Sequence, residues 1–174
     1  MAVAKATLRM IFIALGANLP SNVGPPRATL EAVLRSLAQE GGEIVARSRF
    51  YQSSPVPKSD QPDYLNAVVA IKSDLDPTTL LAALAAIETR FGRQRGERNA
   101  ARPLDLDLIA YDDLIRDAPP ILPHPRMHER AFVLLPLAEI APNWYHPRLR
   151  LPIAALIQAL APALRAECQP AAGD

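Results

Sequence analysis

The spacing of apolar residues over the first 111 positions changes several times between the period of a strand and the period of a helix. Period-two alternation or a short apolar run predicts strands at 10–15, 43–51, 64–72 and 104–111. Helical spacing predicts two helices, which begin at Pro25-Pro26 and Asp76-Pro77 and end at Gly41-Gly42 and Gly92. This order of elements is that of a ferredoxin-like βαββαβ sandwich, a fold of the α+β class.

The remainder of the chain, beyond Asp112, predicts a C-terminal extension of loops and short helices, with room for an edge hairpin. Its helical candidates are residues 131–141 and 151–160. With 174 residues and 49% hydrophobic content, the chain suits one domain, 1–174, with an ordered core at about 8–160. The rest is rich in Ala and Pro and predicts a tail in which Cys168 has no structural consequence.

Each of the two middle strands is predicted to have one apolar face. Period two places Ile44, Ala46, Ser48 and Phe50 together in the second strand. In the third strand it groups Leu65, Ala67, Val69 and Ile71. The connection between these strands, 52–63, is longer than a hairpin needs, so it is free to line a pocket.

Two carboxylates interrupt the apolar strand at 104–111. Successive side chains in a strand point to opposite faces. Asp105 and Asp107 therefore share one face, and Leu104, Leu106 and Leu108 lie on the opposite face. At about 3.3 Å rise per residue the two acids lie about 6–7 Å apart, which one magnesium ion or two could bridge. The alternative is the solvent face of an amphipathic strand.

An arginine-rich segment leads directly into the two acids. Residues 90–103 contain five Arg and one acid. Guanidinium groups bind phosphate oxygens in a bidentate manner, and Mg²⁺ usually sits on one or two carboxylates together with substrate phosphates. A charge cluster is also typical of a solvated loop, but its position beside Asp105 and Asp107 favours a polyphosphate site.

The net charge and the composition restrict the classes of molecule that this protein could bind. A net charge of +1 gives no long-range field for nucleic acid or a membrane surface, so any phosphate binding must be local. The apolar stretch 10–15 is too short for a signal sequence or a membrane span. One cysteine excludes an intramolecular disulfide. These features favour a cytoplasmic protein with a small-molecule substrate.

A planar heterocycle is a plausible ligand of the third strand. Tyr64 and Asn66 project from the same face of that strand, opposite Leu65 and Ala67. An aromatic ring can stack on a heterocycle while an amide pairs with the donors and acceptors on its edge. Ordinary packing of the two side chains is the alternative.

Four blocks of the sequence together resemble the 6-hydroxymethyl-7,8-dihydropterin pyrophosphokinase family of folate biosynthesis. They are residues 14–19 (ALGANL), 61–66 (QPDYLN), 102–107 (RPLDLD) and 123–137 (PHPRMHERAFVLLPL). The resemblance covers about residues 11–160 and implies a ferredoxin-like, magnesium-dependent monomer. It also implies transfer of the terminal pyrophosphate of ATP to the pterin hydroxymethyl group, with release of AMP.

The resemblance also implies roles for single residues. Asp105 and Asp107 would hold two Mg²⁺ ions, and Arg93 and Arg102 would contact the transition state and close the site. The implied ATP-binding residues are Glu88 and Leu108 near the adenosine, Arg95 and Arg98 in the basic loop, and His124 and Arg130 at the phosphates. The implied pterin-binding residues are Tyr64 and Phe132 as a sandwich, Asn66 at the ring edge, and Ser53 and Val56 in the loop.

The sequence departs from the family pattern at three places. Asn99 stands where some members carry a Trp in the basic loop, which is one residue shorter here, and Pro125 replaces an aromatic residue. These two departures concern loop dynamics. The predicted turn Gly16-Ala17-Asn18 also lacks the Ser that some members carry, which concerns the geometry between strand and loop.

Two other functions fit parts of the pattern. A two-metal nuclease or nucleotidyltransferase would also pair acids with arginines, but would usually show a broad basic groove. A ferredoxin-like ligand-binding or RNA-binding module would share the fold without needing the acids. Consumption of ATP and Mg²⁺ dependence in the presence of a pterin would separate the three.

Overall fold

The computed structural model describes residues 9–93 and 101–173 of the chain. The strands are β1 Arg9–Ala17, β2 Glu43–Arg47, β3 Tyr51–Ser53, β4 Tyr64–Ser73, β5 Asp105–Tyr111, β6 Tyr145–His146, β7 Leu151–Pro152 and β8 Cys168–Pro170. The α-helices are α1 Pro26–Glu40, α2 Pro77–Arg90, α3 Ala131–Ile140, α4 Ile153–Ala159 and α5 Pro162–Ala166, and a short 3-10 helix spans Met127–Glu129.

One antiparallel sheet of six strands forms the centre of the described structure. Its order is β5-β1-β4-β3-β8, and β2 pairs with β4 as well. Strand β1 therefore lies between β4 and the acid-bearing β5, with Gly16 opposite both Asn66 and Asp105. This register brings the predicted heterocycle-binding strand and the predicted metal-binding strand to the same end of the sheet. A separate small hairpin joins β6 to β7.

Both faces of the sheet are covered by apolar residues. Helices α1 and α2 contribute to a cluster on one face with alternate residues of β4, among them Ala67, Val69 and Ile71. Val68 and Ala70 point to the other face and belong to a second cluster with residues of α3 and α4. The predicted apolar face of β4 is confirmed, and the opposite face is buried as well.

The beginning of α2 agrees with its predicted cap. The side chain of Asp76 accepts hydrogen bonds from the backbone N–H groups of Thr78 and Thr79, and Pro77 occupies the first turn. An aspartate at this position satisfies donors that have no partner within the helix. The helical spacing from which α2 was predicted is also confirmed, because one apolar stripe of the helix, Leu80, Leu84, Ile87 and Phe91, lies in the first cluster.

The prediction of one continuous second strand at 43–51 with a single apolar face is wrong. This stretch is split into β2 and β3, and the pairing of β2 with β4 shifts between Ile44 and Ala46. Ile44 packs against the first cluster, whereas Ala46 packs against the second. A β-bulge inserts a residue without a partner and reverses the alternation beyond it, which explains why one period could not describe this stretch.

The predicted C-terminal tail is also wrong in part. Residues 162–166 form α5, and β8 pairs with β3 as the edge of the sheet, so Cys168 is buried at 2% exposure. Three residues are too few to show a period, and Ala and Pro gave no strand signal. The helices predicted at 131–141 and 151–160 are present as α3 and α4, with residues 151–152 in β7.

The N-terminal apolar stretch is a strand, as predicted, but it is longer than predicted. Strand β1 continues to Ala17 through Gly16, which the sequence placed in a turn. Ile11, Ile13 and Leu15 are almost completely buried in the first cluster. Among the described helices, none has the combination of length and apolarity that crossing a membrane requires.

Glu139 of α3 joins the helix to the edge of the sheet. It accepts hydrogen bonds from the Tyr51 hydroxyl at 2.7 Å, from the Arg49 backbone N–H at 2.9 Å and from Arg49 Nε at 3.2 Å. Burial alone would raise the pKa of this carboxyl, but these donors lower its pKa below the usual value. A carboxyl with a lowered pKa stabilises the fold above its unfolded pKa, and this contribution disappears as the pH falls.

We therefore expect Glu139→Gln to lower the free energy of unfolding by about 1 kcal/mol at pH 7. The difference from the wild type should shrink as the pH falls below the ordinary carboxyl pKa of 4.5. Urea unfolding at several pH values measures both effects. Glu31→Gln, at an exposed position of α1, is the matched control. A difference that persists unchanged at low pH would contradict this account.

Candidate active site

A cavity of about 460 Å³ opens where the ends of β1, β4 and β5 meet the loop after β3. One part of the cavity is lined by charged residues of both signs, Arg102, Asp105, Asp107, Arg126, Glu129 and Arg130. The cavity also has a part suited to a flat ring, with lining residues that include Ser53, Pro55, Val56, Tyr64, Asn66 and Phe132. The two predicted halves of the site, for phosphates and for a heterocycle, therefore share one cavity.

Each of the two acids is held by arginine. Asp105 Oδ1 lies 2.8 Å from Arg93 Nη1 and 3.2 Å from Arg102 Nη1. Asp107 Oδ2 lies 3.0 Å from Arg130 Nη1. Period-two geometry in β5 turns both carboxylates toward the cavity and away from the apolar cluster that contains Leu104, Leu106 and Leu108.

The two carboxylates fit a hard cation. Burial raises the pKa of Asp105, the charge of Asp107 raises it further, and Arg93 and Arg102 act in the opposite direction. Two like charges on one buried face favour a positive partner. Carboxylate oxygens are the ligands that Mg²⁺ prefers, and one or two of them usually suffice when substrate phosphates complete the shell. The residues present therefore suit magnesium bound together with a phosphate substrate.

Glu88, near the end of α2, contacts both Arg93 and β5 without lining the cavity. It is 7% exposed and accepts a hydrogen bond of 2.7 Å from the backbone N–H of Leu106, and it also pairs with Arg93. Burial is the main reason that its pKa rises to about 7. Glu88 lies outside the cavity lining, so the structure connects it to the orientation of Arg93 and of β5.

The ring-binding part combines two aromatic side chains with a fixed amide. Tyr64 and Phe132 both line the cavity and are partly buried. Asn66 is 4% exposed, and its Nδ2 donates to Ser53 Oγ at 2.9 Å, which fixes the orientation of the amide. Gly16 leaves room for this amide, because a Cβ there would lie 3.2 Å from Asn66 Oδ1. The arrangement can stack on a flat ring and pair with its edge.

Several predicted site residues lie elsewhere. The Leu108 side chain is 4% exposed in the first apolar cluster, so it cannot contact a ligand in the cavity. His124 is also outside the lining, although Asp107 and Arg130 are near enough for their charges to act on it. Burial lowers the pKa of His124. The predictions for Arg95, Arg98 and Asn99 fall outside the described residues.

A family model described as 7,8-dihydro-6-hydroxymethylpterin-pyrophosphokinase (HPPK) matches residues 12–142. The chain belongs to this family. The match includes most of β1 and all of β2 to β5 and α3, and therefore both acids and both aromatic residues of the cavity. The family resemblance drawn from the four sequence blocks is confirmed.

Curated HPPK relatives support the assignment. The 2-amino-4-hydroxy-6-hydroxymethyldihydropteridine pyrophosphokinase of Synechocystis sp. is 43% identical over 142 residues, which are 81% of this chain and 73% of that protein. The protein of the same name from Haemophilus influenzae is 40% identical over 142 residues, which are 80% of this chain and 86% of the relative.

Solved structures agree with the fold. Wild-type Plasmodium falciparum HPPK-DHPS matches 87% of this chain with a TM-score of 0.67 and 14% sequence identity. A triple mutant of that protein with SDX-DHP matches 90% with a TM-score of 0.70 and 15% identity. This chain spans less than half of those longer chains, 44% and 45%. The mixed α/β architecture with an antiparallel sheet is therefore shared.

Some residues of the HPPK cavity had no predicted role. Arg126 and Glu129 line it near the short 3-10 helix, and Leu164, Glu167 and Cys168 line it from the C-terminal segment. Arg126 and Glu129 lie inside the block at 123–137, which indicated that this region belongs to the site but gave no role to these two residues. The last three gave no signal, because only the pairing of β8 with β3 brings them to the cavity.

Asn18 is a further residue of the HPPK site that the sequence left without a role. It is 3% exposed, and its Oδ1 accepts from the backbone N–H of Arg102 at 2.9 Å. Its Nδ2 donates to Gln61 Oε1 and to the Pro62 carbonyl, both at 3.2 Å. One amide thus ties the segment that precedes β5 and its two acids to the loop that precedes Tyr64.

We expect Asn18→Ala to leave the Arg102 N–H without its partner and to lower the free energy of unfolding by about 1–3 kcal/mol. Because Arg102 is then less well positioned, kcat should fall as well. Gln61→Ala is the matched control, since it removes one acceptor of the Asn18 amide in the loop and leaves the Arg102 contact in place. Thermal unfolding and steady-state kinetics measure the two effects. Equal behaviour of the two variants would contradict a specific role for the Arg102 contact.

Proposed function

We propose that this HPPK uses the described cavity to transfer the terminal pyrophosphate of ATP to the hydroxymethyl group of 6-hydroxymethyl-7,8-dihydropterin. The products are AMP and the pterin diphosphate, and the reaction belongs to folate biosynthesis. The observation that carries the proposal is the position of Asp105 and Asp107, which line the same cavity as Tyr64, Asn66 and Phe132. The charged groups and the ring-binding groups of this protein therefore face the same cavity, where a triphosphate and a pterin can bind side by side.

The pterin binds at the aromatic end of the cavity. Tyr64 and Phe132 stack on the two faces of the ring, and Asn66 pairs with its edge. Ser53 orients Asn66 through the 2.9 Å hydrogen bond, and Val56 contributes from the loop after β3. Stacking between side chain and ring is tolerant of small shifts, whereas the fixed amide supplies the specificity.

The triphosphate binds at the charged end. Arg93, Arg102 and Arg130 now pair with the two acids, and their remaining N–H groups are available for phosphate oxygens in the same fork geometry. We assign transition-state contacts to Arg93 and Arg102. Arg130 contacts the phosphates beside Asp107, with its guanidinium 5.6 Å from the centre of the Phe132 ring.

Asp105 and Asp107 would hold two Mg²⁺ ions. When bound, these ions would neutralise charge on the triphosphate. The two carboxylates fix the positions of the ions because β5 is buried on its other face. The arginines bound to Asp105 and Asp107 orient both acids toward the cavity.

The reaction needs positioning more than covalent chemistry. The pterin hydroxyl oxygen forms a bond to the β-phosphorus of ATP, and the bond between that phosphorus and the oxygen bridging to the α-phosphate breaks. AMP leaves with the bridging oxygen and the electron pair of the broken bond, and the hydroxyl proton passes to solvent. No protein nucleophile takes part, so orientation of the two substrates and stabilisation of charge supply the rate.

The remaining ATP contacts are assigned on the family resemblance. Glu88 lies near the adenosine end, and Leu108 can contribute only through its backbone because its side chain is in the core. Arg95 and Arg98 of the basic loop and His124 beside Asp107 bind phosphates.

The seven elements from β1 to β5, α1 and α2 included, form the ferredoxin-like sandwich in this proposal, with β2 and β3 together serving as its second strand. The strand order β5-β1-β4-β3 supports it. We further propose that residues 1–174 form a single domain and act as a cytoplasmic monomer.

The proposal is tested by the requirement for each component. ATP consumption should need both 6-hydroxymethyl-7,8-dihydropterin and Mg²⁺, and excess chelator should abolish it. Single-stranded DNA, RNA or a free nucleotide in place of the pterin should not support it. Consumption that follows a nucleic acid and ignores the pterin would favour the nuclease or nucleotidyltransferase alternative. Binding of the pterin without turnover would favour a binding module.

A further inference from the structure

The C-terminal segment, residues 162–170, lies beyond the family match and still contributes to the cavity. The family match ends at residue 142. Leu164, Glu167 and Cys168 nevertheless line the same cavity as Tyr64 and Asn66. These three side chains come from α5, from the residue that follows it, and from β8.

The segment is fixed to the sheet near the cavity. Strand β8 pairs antiparallel with β3. Just after it, the Ala171 N–H donates to the Phe50 carbonyl at 2.8 Å, and Arg27 Nη2 donates to the Ala172 carbonyl at 3.0 Å. The strand pairing and the contacts that follow it therefore hold the segment in place against the cavity.

The register of β8 places Cys168 beside the polar group that orients Asn66. Cys168 is directly opposite Ser53, so their side chains share one face of the sheet with Cβ atoms about 4.5–5.5 Å apart. The Ser53 hydroxyl accepts the hydrogen bond from Asn66 Nδ2. Gln169, the next residue, points to the opposite face and is exposed.

The segment also holds the loop after β3. Lys58 Nζ lies 2.9 Å from Glu167 Oε1. The neighbours of Lys58 in the loop, Pro57 and Ser59, line the cavity. The Lys58 side chain is 78% exposed and that of Glu167 is 34% exposed, so solvent weakens the pair and its effect is modest.

We propose that residues 162–170 form a wall of the pterin end of the cavity and set the affinity for the pterin. Leu164 and Cys168 limit the space beside the ring, and Glu167 is a positioning residue that holds the β3–β4 loop through Lys58. This inference rests on the proposed function, because it concerns the pterin half of that site. It adds a determinant of pterin binding that lies outside the matched family region.

The first test fills the space beside the ring. Cys168→Phe should raise the KM for the pterin at least about tenfold and leave the KM for ATP unchanged. Gln169→Phe adds the same ring to the exposed face of β8 and should leave both KM values unchanged. Circular dichroism and thermal unfolding show whether both variants fold. An unchanged pterin KM in a folded Cys168→Phe variant would overturn the proposal.

The second test needs no large side chain and remains informative if Cys168→Phe does not fold. Glu167→Gln should raise the pterin KM about two- to fivefold, with kcat and the KM for ATP unchanged. The exchanged pair Lys58→Glu with Glu167→Lys should restore the pterin KM. Equal changes for both substrates, or no effect of Glu167→Gln, would contradict the positioning role.

Failure of this inference is distinguishable from failure of the proposed function. Wild-type turnover of pterin and ATP is measured first and decides the function alone. If the wild type is active and the variants keep the wild-type pterin KM, only the role of the C-terminal segment is wrong. Direct pterin binding without ATP, followed by the fluorescence of the pterin, should show the same losses as the KM values.

Discussion

Asp107→Asn is expected to lower kcat by about 10²–10³-fold without unfolding the protein. The amide has nearly the same shape as the carboxylate, and its oxygen can still accept from Arg130, which lies 3.0 Å from Asp107 Oδ2. The negative charge that would hold a magnesium ion against the triphosphate is lost. The expected pattern is therefore a large loss of turnover with an unchanged unfolding temperature.

Three measurements make this prediction specific. Steady-state kinetics at several Mg²⁺ concentrations should show a weaker dependence on the metal in the variant. Asp113→Asn, at an exposed position just after β5, is the matched control and should retain wild-type turnover. Pterin binding without metal should be unaffected. Wild-type kcat in a folded Asp107→Asn variant would remove the central acid from the mechanism.

Tyr64→Ala is expected to weaken pterin binding by about 1–3 kcal/mol, the range found for stacking of an aromatic side chain on a nucleobase. This corresponds to about a 5- to 150-fold rise in the dissociation constant. Tyr64 lines the ring-binding part of the cavity beside Asn66, whereas the acids and arginines form the other part. The KM for ATP should therefore change little.

Tyr64→Phe separates the ring from the hydroxyl. The hydroxyl lies 3.4 Å from Gln61 Oε1, a long and weak hydrogen bond, so its loss should have little effect on pterin affinity. Titration of each variant with the pterin, monitored by ligand fluorescence, gives the two dissociation constants. If Tyr64→Phe loses as much affinity as Tyr64→Ala, hydrogen bonding and not stacking is responsible. A loss of ATP affinity alone would place the ring elsewhere.

Local periodicity predicted the elements that carry most of the site. The alternation of β4 and the stripe of α2 are long enough to define one face each, and the structure has both. The shared face of Asp105 and Asp107 follows from the same period, and both acids line the cavity. In such long elements the apolar periodicity of neighbouring residues is consistent throughout, so the secondary structure predicted from it agrees with the one that forms in the folded protein.

Features that depend on pairing between distant strands could not be predicted. The shift between Ile44 and Ala46 is a matter of register with β4, which a single-strand pattern does not contain. The short β8 becomes a strand only because β3 offers an edge. The bridge from Asn18 to Arg102 joins residues 84 positions apart.

Separation of the nucleotide products is the most direct measurement of the proposed reaction. The protein is incubated with ATP, Mg²⁺ and 6-hydroxymethyl-7,8-dihydropterin, and AMP, ADP and the pterin products are quantified by chromatography. Transfer of pyrophosphate predicts one AMP for each pterin diphosphate formed, with no accumulation of ADP. Formation of ADP with a pterin monophosphate, or AMP without a phosphorylated pterin, would contradict the account.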